Sequence, residues 1–107
     1  MGDAYSILEE AISLRAASDR GEVKLAQLEG DIFERVRRAV KLAPSDPDVL
    51  LLAVWLLGPF CVVNPSIAKT VRKMYAALDA MGGPREQTLA IAGWSSTAYA
   101  QERARRV

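Results

Sequence analysis

Ala43-Pro-Ser-Asp-Pro-Asp48, followed by Val49-Leu-Leu-Leu-Ala-Val-Trp-Leu-Leu57, is the stretch on which the fold turns. Pro44 cannot continue a helix, so the element before it ends there. Asp46 carries the short acceptor side chain of an N-cap. Pro47 suits the first helical turn, where a missing N–H leaves nothing unpaired. The helix that this predicts, ending at Leu57, is apolar on every side. Such a helix belongs at the centre of a domain or against a partner. No strand alternation or Asn-Gly turn pair flanks it, and the chain reads as all-α.

Working outward, Leu25, Leu28, Ile32, Val36, Ala39, Val40 and Ala43 hold one helical phase across Gly30-Asp31. That phase predicts a single long helix over residues 22–42, bent at Gly30, and Asp31 with Glu34 has capping-box spacing. Upstream, Ser18-Asp19-Arg20-Gly21 stops a first helix over residues 3–17. Asp3 caps it; Tyr5, Leu8, Ala11, Ile12 and Arg15 share one face, with Ile7 and Leu14 at its border. Downstream, Pro59 and Pro65 bracket residues 60–63, read as an extended connection. Asn64-Pro65-Ser66 then caps an amphipathic helix carrying Ile67, Val71, Met74, Tyr75, Leu78 and Met81, which Gly82-Gly83 ends. Pro84 opens a last helix over residues 84–103, rich in Ala90, Ala92, Gly93, Ser95, Ser96, Ala98 and Ala100. Small residues of this kind let helices approach closely. The expectation is a single-domain, compact bundle of about five helices, an order that also allows a stack of helical hairpins.

Composition narrows the function. The 107 residues are 50% hydrophobic and 25% charged, the balance of one folded domain. There is no histidine, which removes the usual general base and the commonest metal ligand. Cys61 is the single cysteine, too few for a disulfide or a Cys-x-x-Cys metal site, and no cation lies between Val49 and Val63 to activate it. It reads as a small buried hydrophobe in a reducing compartment. The early acids Asp3, Glu9 and Glu10 do not fit a secretory leader. The apolar run from Val49 falls short of the roughly 20 residues that span a bilayer. These features lead to the expectation of a soluble, cytoplasmic protein without a membrane span.

Charge is unevenly spread. Residues 1–34 hold three cations against eight acids, and residues 35–107 hold eleven cations against five acids. Ten of the fourteen cations are arginine, and Asn and Gln together number four, a bias that suits a heat-adapted organism. Three basic groups stand out: Arg35, Arg37, Arg38 and Lys41; Lys69, Arg72 and Lys73; and Arg103, Arg105 and Arg106. Together they have the character of a sequence-independent phosphate-binding surface, against the plainer reading of solvated helix faces. Leu51, Trp55, Phe60, Trp94 and Tyr99 are the candidate contacts for a second copy or a protein partner, against the plainer reading of a core with the third helix at its centre. The acids Glu9-Glu10 and Asp31/Glu34 lack histidine or a matching pair. No phosphate loop, nucleophile elbow or zinc spacing appears. The expectation is therefore no catalytic residue, metal, cofactor or small-molecule substrate.

The stretch Arg38-Ala-Val-Lys-Leu-Ala-Pro-Ser-Asp-Pro-Asp-Val-Leu-Leu-Leu-Ala53 resembles the junction between two tetratricopeptide repeats. There an alanine (Ala39) and a proline five residues later (Pro44) close one helix pair. Upstream, the family's large, glycine and tyrosine positions are held instead by Asp19, Arg20 and Val23. The resemblance implies a helical adaptor or chaperone-like module that binds a partner segment. The leading expectation is a structural or assembly subunit, self-associating or joining a nucleoprotein complex. In general character it is similar to small helical coat subunits of filamentous viruses.

Overall fold

The computed structural model describes residues 3–106. Among them the chain forms six α-helices and no strand: α1 (Ala4–Asp19), α2 (Glu29–Leu42), α3 (Pro47–Leu57), α4 (Pro65–Ala80), α5 (Glu86–Ile91) and α6 (Ser96–Arg106). The all-α bundle expected from the sequence is therefore present, and its centre is α3. Asp46 caps α3 as its position implies, accepting from the Asp48 and Val49 amides at 2.9 and 3.4 Å. From Val49 to Leu57 every residue except Trp55 is buried, because α3 packs against α1, α2, α4 and α5 at once. The apolar run from Val49 to Leu57 is thus covered within one chain apart from Trp55.

The packing order is that of stacked hairpins. α1 lies along α2, α3 along α4, and α5 contacts α6; α1–α3, α3–α5 and α4–α6 contacts join successive pairs. α1 buries Ala4, Ile7, Leu8 and Ala11, so Ile7 is central to its face. Tyr5, expected on that face, is half out in solvent and donates its hydroxyl to Asp46. α4 buries Ile67, Val71, Met74, Tyr75 and Leu78 as its pattern predicts.

Three elements depart from the sequence expectation. The single long helix over 22–42 is instead a short 3-10 turn, Leu25–Leu28, leading into α2, with Lys24 extended before it. In a 3-10 helix residues i and i+3 eclipse, so Leu25 and Leu28 stay in phase with α2 although the long helix is broken. Asp31 lies within the first turn of α2 and caps nothing; Leu28 occupies the cap position.

Residues 60–63 are likewise not extended. Gly58–Phe60 is a 3-10 turn, and the Asn64 amide closes back on the Phe60 carbonyl at 3.0 Å. An extended four-residue link would reach about 13 Å and draw Phe60 and Cys61 out of the core, where they are 3% and 7% exposed.

The last helix is two helices. α5 ends in a Schellman motif, with Gly93 N–H on Ala90 C=O at 3.0 Å and Trp94 N–H on Leu89 C=O at 2.9 Å. Gly93 has φ 72°, the left-handed conformation that glycine adopts without a Cβ penalty. Ser95 Oγ then accepts the Ala98 amide at 3.0 Å and starts α6. The small residues do not form one close-packed face: Ala92 is buried and Ala98 half-buried, but Ala90, Ser95, Ser96 and Ala100 are exposed, and Tyr99 is the buried residue of α6.

Candidate functional site

α2 and α4 run side by side in the same direction. Their starts are tied where Asn64 Nδ2 donates to Glu29 Oε2 at 3.4 Å, and further along Thr70 and Met74 face Arg37, Val40 and Lys41 across a groove. The groove, about 490 Å3, has Val40 and Met74 as its apolar part and Glu34, Arg37, Arg38, Lys41 and Thr70 as its polar part. The spacing of 100° per residue explains the arrangement. On α2 it sends Ile32, Val36 and Ala39 inward and leaves Arg37, Arg38 and Lys41 outside. On α4 it places Lys73 beside Thr70 on the α2 side, and Arg72 on the opposite flank with Asp79, which faces α6.

The structure separates the expected basic residues into two classes. Arg35 is half-buried, with Nε 3.5 Å from Glu10 Oε1 and Nη1 donating to the Asp31 carbonyl. Arg103 pairs with Asp79 at 2.7 Å, while Arg105 and Arg106 share Glu102 at 2.7 and 3.0 Å. Burial alone would raise the Glu102 carboxyl. The hydrogen bonds from these two guanidiniums outweigh it and hold the group below its ordinary value. Arg38, Lys41, Lys69, Arg72 and Lys73 are all exposed, and so is Arg37; none has a carboxylate within 4.0 Å among the described residues. The α2–α4 group is thus unneutralised, whereas the C-terminal arginines are partly consumed by acids of their own chain.

The expected partner contacts are placed differently. Leu51 is fully buried, Phe60 is 3% exposed and Tyr99 7%, so these three belong to the core of a single chain. Tyr99 packs between the rings of Tyr75 and Trp94, at 6.2 and 6.3 Å between centroids. Trp55 and Trp94 alone among the five are half-buried, and both border one cleft. Large apolar groups left in solvent are Val62 and Val63, on the α3–α4 link, with Leu42 and Ile91. Cys61 is buried with its thiol against the Leu57 carbonyl at 3.6 Å, and burial pushes its pKa up.

Two residues carry more than their sequence context indicated. Asp48 is buried and accepts from Thr88 Oγ1 at 2.8 Å, from Arg85 Nε at 2.6 Å and from the Arg85 amide at 3.2 Å, joining α3 to α5. Burial would raise its carboxyl; these donors more than reverse that and leave its pKa lowered. Arg15 ends the apolar face of α1, and its place in that apolar phase was the sequence signal. Its guanidinium lies 4.3 Å from the centre of the Trp55 ring.

Among the described residues, no three His, Cys, Asp or Glu side chains gather as metal ligands, and no helix is long and apolar enough to cross a membrane. Comparison with protein-family models, curated proteins and solved structures finds no match to this chain.

Proposed function

We propose that this chain is a non-enzymatic binding subunit of an assembly, and that its α2–α4 face contacts a nucleic-acid backbone. One observation supports this reading. Among the described residues, six of the fourteen cations reach an acid of the same chain; of the other eight, Arg72 lies exposed on the far flank of α4, and five are the exposed Arg37, Arg38, Lys41, Lys69 and Lys73 of the α2–α4 face. Two parallel helices present them in rows one turn apart, a geometry suited to successive phosphates and offering no base readout. Contacts to other subunits fall to the exposed Val62, Val63, Leu42 and Ile91, since the apolar third helix is core.

The stacked-hairpin order favours a second reading, an adaptor that seats an acidic amphipathic helix over Val40 and Met74. A labelled 20-mer oligonucleotide followed by fluorescence anisotropy decides between them. With four to six phosphate contacts, affinity falls about 100- to 1,000-fold between 50 and 200 mM salt. The combined reversal Arg38→Glu, Lys41→Glu, Lys69→Glu, Lys73→Glu then abolishes binding. Oligonucleotide binding that survives this reversal sinks the proposal, and binding of an acidic peptide with no oligonucleotide binding installs the adaptor.

A further inference from the structure

Both tryptophans of the chain border one cleft, on a part of the molecule separate from the α2–α4 groove. Trp55 comes from the last turn of α3 and Trp94 from the α5–α6 link. Pro59 and Val62 complete the apolar part of an opening of about 340 Å3, and Arg15, Arg105 and Arg106 line the rest with Glu102. This volume lies near the lower end of ordinary ligand sites, sufficient for one ring-and-phosphate unit.

Three features define what the cleft accepts. First, the two indoles are only half-buried, although smaller apolar side chains such as Leu51, Val54 and Leu56 are completely enclosed. Second, Arg15 is half-buried without an anion. Its Nη1 donates to the Trp55 carbonyl at 2.7 Å and its plane covers the Trp55 ring, yet no carboxylate lies within 4.0 Å among the described residues. Burial pulls its pKa below the ordinary value, opposed by the charge of Asp19, so the cation is held at a cost that a bound anion would offset. Third, Glu102 is the acid of this lining and is already shared by Arg105 and Arg106, leaving cations in excess.

Flat aromatic surface beside excess arginine is the chemistry of nucleotide stacking: a base lies on an indole or a guanidinium plane while its phosphate meets a cation. We infer that this cleft receives one unstacked nucleotide of a single-stranded nucleic acid. The base lies against Trp94 and the Arg15–Trp55 stack, and the phosphate lies between Arg15 and the exposed Arg105. Duplex bases are already stacked and do not enter. The inference rests on the proposed function only in taking nucleic acid as the partner.

The chain's fluorescence reports the cleft directly, because Trp55 and Trp94 are its two tryptophans. The full-length protein is titrated with a single-stranded ten-mer of thymidine, with a duplex of equal length and with thymidine monophosphate, reading tryptophan emission and the anisotropy of labelled strands. The expected result is quenching by the single strand, little change with the duplex, and weak quenching by the mononucleotide. Trp94→Leu lowers single-strand affinity about 5- to 150-fold, the effect of one lost base stack, with duplex affinity unchanged. Arg105→Ala, at an exposed position, lowers it without endangering the fold.

Single-strand binding seen by anisotropy with unchanged emission overturns the inference, since the strand then lies on the α2–α4 face alone. Mononucleotide binding as tight as that of the ten-mer overturns it in favour of a small-molecule site. Failure of the proposed function looks different: the four-residue reversal on α2 and α4 leaves binding intact while the quenching persists.

Discussion

Helices α2 and α3 are separated by four residues and are 14 and 11 residues long, yet their surfaces are opposite. α3 buries nine of its residues; α2 buries Ile32, Val36 and Ala39 and leaves Arg37, Arg38 and Lys41 in solvent. α3 opens with a side-chain cap from Asp46, whereas α2 opens on Leu28 with none. The contrast separates two tasks. A helix enclosed on nearly all sides holds its neighbours in register and, Trp55 at its last turn apart, has little surface to offer a partner. A helix at the margin spends one stripe on the core and keeps the rest for binding. The sequence left α3 as either core or contact surface, and its position makes it core.

The sharpest way to break this comparison is Leu51→Ala. Leu51 is completely buried at the centre of α3, and its truncation is expected to cost about 3 kcal/mol in urea denaturation. A loss below about 1 kcal/mol would mean that the site collapses readily and α3 is not the organising element. Next comes Asp48→Asn, which weakens a charged acceptor of three donors and costs about 2 kcal/mol at pH 7. Because folding lowers this carboxyl from its ordinary 3.8, its contribution is present in full above that value and is lost as pH falls through the lower, folded value. The stability difference between wild type and variant should therefore close in acid, followed by thermal unfolding from pH 7 to pH 2. A gap that persists at low pH would assign the effect to packing.

Asp46→Ala removes the α3 cap and the acceptor for Tyr5, whose pKa that hydrogen bond, followed by burial, raises to about 12. The expected cost is about 1 kcal/mol, and spectrophotometric titration should return Tyr5 toward 10.0, its ordinary value. Smallest in stability is the double change Arg38→Ala, Lys73→Ala, within about 0.5 kcal/mol of wild type per site. Its effect belongs to binding: the slope of log affinity against log salt should shrink by about 1.8. A large loss of stability here would show that the exposed face is structural, and the contrast between α2 and α3 would fail.

Much of the fold was legible because its signals are local. Asp46 and Asn64 cap their helices as their positions imply, and Gly21 and Gly82 stop theirs with positive φ. Gly93-Trp94-Ser95 carries the same stop-and-start chemistry, but the run of alanines and serines around it also suits one continuous helix, which hides the break between α5 and α6. Leu25 and Leu28 keep their phase in either a 3-10 turn or an α-helix, which concealed the start of α2. For the site, Arg38, Lys41, Lys69, Arg72 and Lys73 stand out in the sequence, but nothing there distinguishes them from Arg35, Arg103, Arg105 and Arg106.

What the chain's order of residues determined by itself was its all-helical character, most helix ends and the inventory of charge. These follow from backbone sterics, capping chemistry and counting, all of which act within a few residues. What tertiary structure alone decided was which side of each question won. Packing α3 against four helices made its apolar run core, where the sequence allowed core or contact surface. Bringing Glu10, Asp79 and Glu102 to Arg35 and the C-terminal arginines left Arg37, Arg38, Lys41, Lys69, Arg72 and Lys73 without an acid among the described residues. Folding also set two tryptophans, 39 positions apart, beside a half-buried Arg15. Burial and ion pairing depend on distances across the chain, and those exist only once the helices have packed.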